Sequence, residues 1–255
     1  MNVVKNKPTR LFIVLGGFFV TNALVAEFIG VKIFSFEETF GFRPFEWHLF
    51  GQTGSLTLTA GVLLWPIVFI MTDVINEYYG RRGVKLLSYL TAGLIAYAFL
   101  MVSLAIHLVP ASWWPASYQS QGVEDMQVAF SAVFGQGLWI IVGSMMAFLI
   151  GQIVDAYTFY RIRRVWGESK VWFRATASTA VSQFIDSFVV IYIAFVLGPP
   201  KWSISLFLAV SLVNYFYKLF SAILLIPLLY AFHWLIAGFL GEKTAQRLKQ
   251  QALEN

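Results

Sequence analysis

Residues Ile70–Arg82 read IMTDVINEYYGRR, and this stretch decides the fold. An apolar run from about Leu56 carries into Asp73, Asn76 and Glu77, then stops at a glycine followed by two arginines. Spacings of three and four put the three polar side chains on one face of a helix. A carboxyl group near the middle of a bilayer costs roughly 2.5–3.5 kcal/mol on insertion scales, so it needs a partner or a wet cavity. This one helix puts two there, and the rest of the chain has to account for them.

Composition places the helix in a membrane. Of the 255 residues 58% are hydrophobic and 12% charged, with a mean hydropathy of +0.71. A soluble domain is nearer a quarter charged. The apolar stretches run to about twenty residues, the length that crosses a hydrocarbon core of about 30 Å. The net charge of +5 does not point to nucleic acid, because the basic residues sit between apolar runs. There is no cysteine, which excludes disulfides and thiolate metal sites. The first apolar run, after Lys5, Lys7 and Arg10, lacks a small-residue cleavage pattern and reads as an uncleaved helix.

The expected architecture is an all-α polytopic membrane protein, a bundle of six transmembrane helices forming one domain over 1–255. The spans are about Leu11–Gly30, Leu56–Tyr79, Val84–Val109, Leu138–Tyr160, Phe173–Leu197 and Ser203–Ala237. Pro66 should bend the second, and Pro227 should end or kink the over-long sixth. Orientation follows the Lys and Arg residues. Lys5, Lys7 and Arg10, then Arg81, Arg82 and Lys85, then Arg161, Arg163, Arg164, Lys170 and Arg174, then Lys243, Arg247 and Lys249 all fall on one side. That side is read as cytoplasmic, with both termini on it. The opposite loops are rich in aromatics (Phe34, Phe36, Phe42, Phe45, Trp47, Trp113, Trp114, Tyr118) that favour the headgroup zone. Pro199-Pro200 makes the fifth and sixth spans antiparallel neighbours, and the last fifteen residues read as a short polar tail.

Five spans carry strongly polar groups. Asn22 and Glu27 are in the first, and Asp73, Asn76 and Glu77 in the second. Gln152 and Asp155 are in the fourth, Gln183 and Asp186 in the fifth, Asn214 and Lys218 in the sixth. Single amides glue helices together. Several carboxylates sharing one lysine are more than glue: Lys218 is expected to pair with Asp186 or Asp155, leaving a surplus that implies protons, a wet cavity or a ligand with donors. Gly151-Gln152-Ile153-Val154-Asp155 and Ser182-Gln183-Phe184-Ile185-Asp186 echo one another, Thr72-Asp73-Val74-Ile75-Asn76 is a looser echo, and the second and fifth spans would correspond in a three-plus-three inverted repeat. Carboxylates accept hydrogen bonds, amides donate and accept, and Lys donates. With Trp65, Phe69, Tyr78, Phe184, Tyr192 and Tyr215 as stacking surfaces, the set suits a flat heterocycle with amide-like edges, or a soft organic cation.

The stretch Thr72-Asp73-Val74-Ile75-Asn76-Glu77-Tyr78-Tyr79-Gly80 resembles the acidic signature ending the second helix of the queuosine precursor transporters, also called the vitamin uptake transporter family. The likeness continues through Ser182–Asp186, Gln152 and Asp155 before a basic loop, Asn22 in the first helix and Lys218 in the sixth. It implies an inner-membrane importer of 7-deazaguanine bases, 7-cyano-7-deazaguanine and its aminomethyl relative, without a cofactor. Asp73, Glu77 or Asp186 would take the N1-H/N2-H2 edge, and Gln152, Gln183 or Asn22 would read O6 and N7. Asn76, Asp155, Asn214 and Lys218 complete the expected substrate-binding set.

An enzyme is disfavoured: no His-Glu-x-x-His or Gly-x-Ser-x-Gly is present, and His48, His107 and His233 are scattered near span ends. No phosphate-binding glycine loop is present, so nucleotide hydrolysis would need a separate energising partner. The alternatives are a substrate-binding subunit of that kind, or a proton-coupled carrier for another small heterocycle or vitamin. The expected partners are the small-molecule substrate and the lipid bilayer, not nucleic acid. The small-residue seam Gly135–Gly143–Ser144–Ala147–Gly151 suits packing or a homodimer face.

Overall fold

The computed structural model describes residues 6–43, 45–135, 138–166 and 171–254. Lys5 and Lys170, counted above for orientation, lie outside them. In chain order come α1 (Lys7–Ile29), β1 (Ile33–Ser35), α2 (Phe36–Phe40), β2 (Trp47–Leu49), β3 (Gln52–Gly54) and β4 (Thr57–Thr59). A 3-10 turn (Ala60–Leu63) leads into α3 (Trp65–Ile106). Then follow α4 (Met126–Phe134), α5 (Leu138–Trp166), α6 (Val171–Ile191) with a π-helical end (Tyr192–Leu197), α7 (Ile204–Leu224), α8 (Ile226–Leu240) and α9 (Glu242–Glu254). Five of the helical stretches are long and apolar enough to cross a membrane, and Ile226–Leu240 is a shorter apolar helix.

The 42-residue α3 is not one rod. Gly80 sits at φ 68°, ψ −175°, outside helical space. A straight helix of that length would run about 63 Å. Yet one end of α1 meets both ends of it: Ala26 crowds Gly61, just before α3, while the Phe28 ring lies 5.6 Å from Phe99. At the other end of α1, Phe12 packs against Tyr79 at 4.9 Å and also touches Gly83. The chain therefore folds back at Gly80, and 65–79 and 81–106 run antiparallel beside α1. Only glycine tolerates that backbone without strain.

Several boundaries differ from the sequence reading. Leu56–Leu64 was expected to be helical; it holds β4 and the 3-10 turn instead. β4 pairs antiparallel with β1 (Ile33↔Thr59, Ser35↔Thr57), enclosing the β2–β3 hairpin. That hairpin turns through Phe50 and Gly51, both at positive φ as a tight two-residue turn requires. Pro66 consequently falls in the first turn of α3, where its missing N–H costs nothing, and it bends no span. Pro227 does separate α7 from α8. α6 and α7 are antiparallel neighbours, with Phe188 against Phe207 near one end and Asp186 meeting Lys218 further along. The small-residue seam is spent within the chain: Gly143 packs on the backbone of Val190 and Ala194, and Gly151 on Asp186. At these two glycines the seam serves packing between α5 and α6 with its π-helical end.

Candidate functional site

The polar side chains stack in tiers between 65–79, α5 and α6. At the basic end of the bundle Glu77, with a side chain 0% exposed, faces three cations. Arg174 Nη2 lies 2.9 Å from Oε2, Arg163 Nη1 at 3.5 Å, and Lys249 Nζ 3.2 Å from Oε1. Arg163 also donates to the Glu77 carbonyl at 3.0 Å and to the Lys249 carbonyl at 3.0 Å. Glu77 is thus the hub that ties 65–79, α5, α6 and α9 together.

One helical turn along α3, Asp73 is buried beside Ser178 of α6, whose hydroxyl lies 3.5 Å from its Oδ1. Ser182, a further turn on, donates to Asp155 at 3.0 Å. Thr72 donates to Gln152 at 2.6 Å, and Asn76 donates to the Ala156 carbonyl at 3.0 Å. These contacts lock 65–79 to α5 along one seam. Nearer the opposite end, Lys218 Nζ lies 2.5 Å from Asp186, and Ser144 hydrogen-bonds Glu27.

Beside this seam a crevice opens between 65–79, α6 and the α7–α8 bend. Its upper part is lined by Trp65, Pro66, Phe69, Thr179, Gln183 and Lys218, and its lower part reaches Asp73 and Thr176. The two parts hold about 260 and 290 Å³ of empty space, counting their open mouths. The enclosed volume of each part is only about 10 Å³, room for about one water where small-molecule pockets run roughly 300–1,000 Å³, so the crevice is nearly closed in this conformation. Gln183 is 3% exposed and its Nε2 has no hydrogen-bond partner; Thr176 Oγ1 is likewise unpartnered.

The ten expected site residues therefore separate. Asp73, Gln183 and Lys218 line the crevice. Asp186 stands behind Lys218, while Gln152, Asp155 and Asn76 belong to the seam between 65–79, α5 and α6. Glu77 is ion-paired below. Asn22 and Asn214 bond back to their own helices, to the Phe18 and Val210 carbonyls. Of the expected stacking rings, Trp65 and Phe69 line the crevice. Tyr78 is covered by His233, Phe184 packs on Phe188 and Tyr215, and Tyr192 on Phe207.

Sequence reasoning missed the cations of the Glu77 hub, treating Arg163, Arg174 and Lys249 as loop and tail charges. A signal existed for Arg174. It shares the four-residue spacing of Ser178 and Ser182, which marks a polar stripe along α6. None existed for Arg163, because α5 extends beyond the expected end at Tyr160 to Trp166.

Residues 59–232 match the family described as "Putative vitamin uptake transporter". The chain belongs to this family. It is a family of membrane transporters rather than enzymes, and with several apolar helices the protein is a multi-pass membrane protein. A probable queuosine precursor transporter of Bacillus subtilis (strain 168) is 29% identical over 177 residues, 68% of this chain and 71% of that one. The queuosine precursor transporter of Escherichia coli (strain K12) is 26% identical over 198 residues, 77% of this chain and 80% of that one. No solved structure matches. The matched segment runs from β4 to α8, so it contains the crevice and every tier except α9 and the α1 residues.

Proposed function

We propose that the protein imports a queuosine precursor, 7-cyano-7-deazaguanine or 7-aminomethyl-7-deazaguanine, across the cell inner membrane. The chain crosses six times, with 65–79 and 81–106 as separate crossings and α7–α8 as one bent crossing. Both termini and the Glu77 hub lie on the cytoplasmic side. The observation that carries the ligand reading is the crevice: an aromatic wall with an unpartnered buried amide at one edge and a carboxyl at the other.

A guanine-like base fits that pattern. Asp73 accepts from the N1-H and exocyclic amine, Gln183 Nε2 donates to O6 or N7, and Trp65 and Phe69 hold the ring faces. Lys218 keeps Asp186 paired and presents its remaining donors to the same edge as Gln183. An apolar vitamin would leave Gln183 and Asp73 unsatisfied, at a cost of about 1–3 kcal/mol each.

The test is uptake of labelled 7-cyano-7-deazaguanine by liposomes holding the purified protein. Asp73→Asn and Gln183→Ala should each reduce the rate tenfold or more, and Trp65→Ala by a similar factor. Full-rate uptake by all three variants would remove the crevice from the transport path. No uptake by the unaltered protein would remove the base.

A further inference from the structure

We propose that the ribbon before α3, made of β1, α2 and β2–β4, is the gate through which a ligand enters the crevice, swinging away from α7 to open it. The proposal takes the crevice as the substrate site, as read above, and adds the route into it.

The ribbon lies deep. Gln52 of β3 donates to Ser205, at the start of α7, at 3.4 Å, while the Phe36 ring stands 6.0 Å from Tyr217 of the same helix. From Ser205 to Tyr217 a helix rises about 18 Å. The neighbouring helices agree. Lys218 meets Asp186, which has about 16 Å of helix still to run to Leu197, and Gly151, packed on Asp186, stands about 20 Å from the start of α5 at Leu138. The stretch 65–79 is correspondingly short, rising only about 22 Å against a hydrocarbon core of about 30 Å. β4 and the 3-10 turn fill the rest of that depth. Non-helical backbone at such a level survives only where protein covers it or where it lines water.

The ribbon meets that demand largely from within. β1 pairs with β4 and β2 with β3. The Phe36 amide donates to the Leu56 carbonyl at 3.0 Å, Glu37 accepts from the Leu56 amide at 2.7 Å, and the Trp47 indole donates to the Ser55 carbonyl at 3.0 Å. These bonds travel with the ribbon. Its two roots are tied together where the Ala60 amide donates to the Lys32 carbonyl at 2.8 Å, and Gly61 packs closely on the Ala26 carbonyl of α1. A segment bonded internally and rooted in one place turns as a unit. On β4, Thr57 and Thr59 are exposed while Leu58 between them is buried. Hydroxyls at that depth call for water rather than lipid, so the ribbon borders a wet vestibule.

Its position makes it the roof of the crevice. The upper part is lined by Val62, Trp65 and Pro66, which follow β4 in the chain, and by Lys218, the neighbour of Tyr217. With an enclosed volume of about 10 Å³, that part admits no base until one end moves. Beyond Asp73 the way is blocked by Glu77 and its ion pairs to Arg174, Arg163 and Lys249. At the other end, the ribbon's polar tie to α7 among the described residues is the neutral Gln52–Ser205 bond, joined by the edge-on ring pair of Phe36 and Tyr217. Either contact is worth far less than breaking a buried ion pair from one side. The ribbon end is the one that yields first. In the orientation proposed above it is the outer end.

The chain has no cysteine, so one introduced thiol reports on the route. Ala222→Cys places it in the wall shared by both parts of the crevice, while the exposed positions in Thr53→Cys and Gln250→Cys mark the ribbon end and the basic end. The whole protein is labelled in membrane vesicles of both orientations with a membrane-impermeant methanethiosulfonate. Ala222→Cys should react at least about tenfold faster from the side that labels Thr53→Cys. Adding Gln52→Ala should raise that rate about fivefold, the factor a neutral hydrogen bond is worth, and Phe36→Ala should act in the same direction. Lys249→Gln should leave it unchanged. Equal or faster reaction from the side of Gln250→Cys, no reaction from either side, or a rate indifferent to both ribbon changes would overturn the gate.

A second arm holds the gate shut. Joining Gln52→Cys to Ser205→Cys with a cleavable thiol linker should stop exchange of labelled 7-cyano-7-deazaguanine, and cleaving the linker should restore it. Exchange at full rate while linked would also overturn the proposal. Thiol labelling needs no substrate. If the unaltered protein moves no base, the uptake reading fails, and the labelling rates still decide whether the ribbon is the way in.

Discussion

Replacing Glu77 with glutamine should damage the protein's stability more than any other acid-to-amide change inside the bundle. The side chain is fully buried and faces Arg174 at 2.9 Å, Arg163 at 3.5 Å and Lys249 at 3.2 Å. Glutamine keeps the shape and removes the charge, so two buried guanidinium groups lose their common counter-ion. Breaking a buried pair from one side costs about 3–5 kcal/mol. At about 2–4 °C per kcal/mol for a chain of this size, the melting temperature in detergent should fall by about 6–20 °C. Lys249→Gln takes away the partner whose side chain is 21% exposed. It should cost no more than about 1 kcal/mol, or under about 4 °C. Asp73→Asn removes a buried charge whose contact is a serine, so it should melt within about 2 °C of the parent while uptake collapses. Tryptophan-fluorescence melts of the purified variants measure all three. If Glu77→Gln melted with the parent, or Asp73→Asn fell furthest, the assignment of Glu77 to structure and Asp73 to substrate would be refuted.

Two further outcomes follow from the backbone and from the segment before α3. Gly80→Ala places a residue at φ 68°, ψ −175°, with its Cβ 2.7 Å from the Ala252 carbonyl oxygen. The torsion alone costs about 1–3 kcal/mol. Ending the chain at Gly241 removes the contact but not the torsion, so melts should show a smaller yet non-zero penalty in the shortened protein. In the segment between α1 and α3, Glu37 is buried but accepts from the Leu56 amide at 2.7 Å and from Ser35, and these bonds hold its carboxyl below the usual glutamate value. A lowered value means that its support for the β1–β4 pairing is complete above about pH 4.5 and lost as pH falls through the lowered value. Amide exchange at Leu56, corrected for its intrinsic pH dependence, should stay slow at neutral pH and accelerate below pH 4; Glu37→Gln should be fast at both.

Much of this was legible in one dimension. Hydropathy gives the apolar helices, and proline chemistry gives the α7–α8 break. The shortage of soluble-type charge makes each polar residue in a span conspicuous. Lys218 finds Asp186 as expected, because two opposite charges at similar depth on adjacent helices have few other partners. What could not be read is pairing across long separations. Glu77 and Arg174 are 97 residues apart, and nothing in either neighbourhood names the other. The three-residue strands escaped because alternation needs more than three residues to show. The crevice escaped because which face of a buried helix meets a void depends on the packing of all its neighbours.

The Glu77 hub also bears on how the chain is made. Helix 65–79 enters the bilayer carrying an acid whose partners have not yet been synthesised. Arg163 follows 86 residues later, Arg174 97 residues later, and Lys249 later still. Until α5 and α6 arrive, the young hairpin bent at Gly80 must keep its carboxyl in the headgroup region or protonated, so it is seated provisionally. Lys249 then closes the set from α9, whose Ala252 rests on Gly80. A nascent chain stalled before α9 would leave that hub short of Lys249 and open to water at the basic end of the bundle, a structural mark of an unfinished protein.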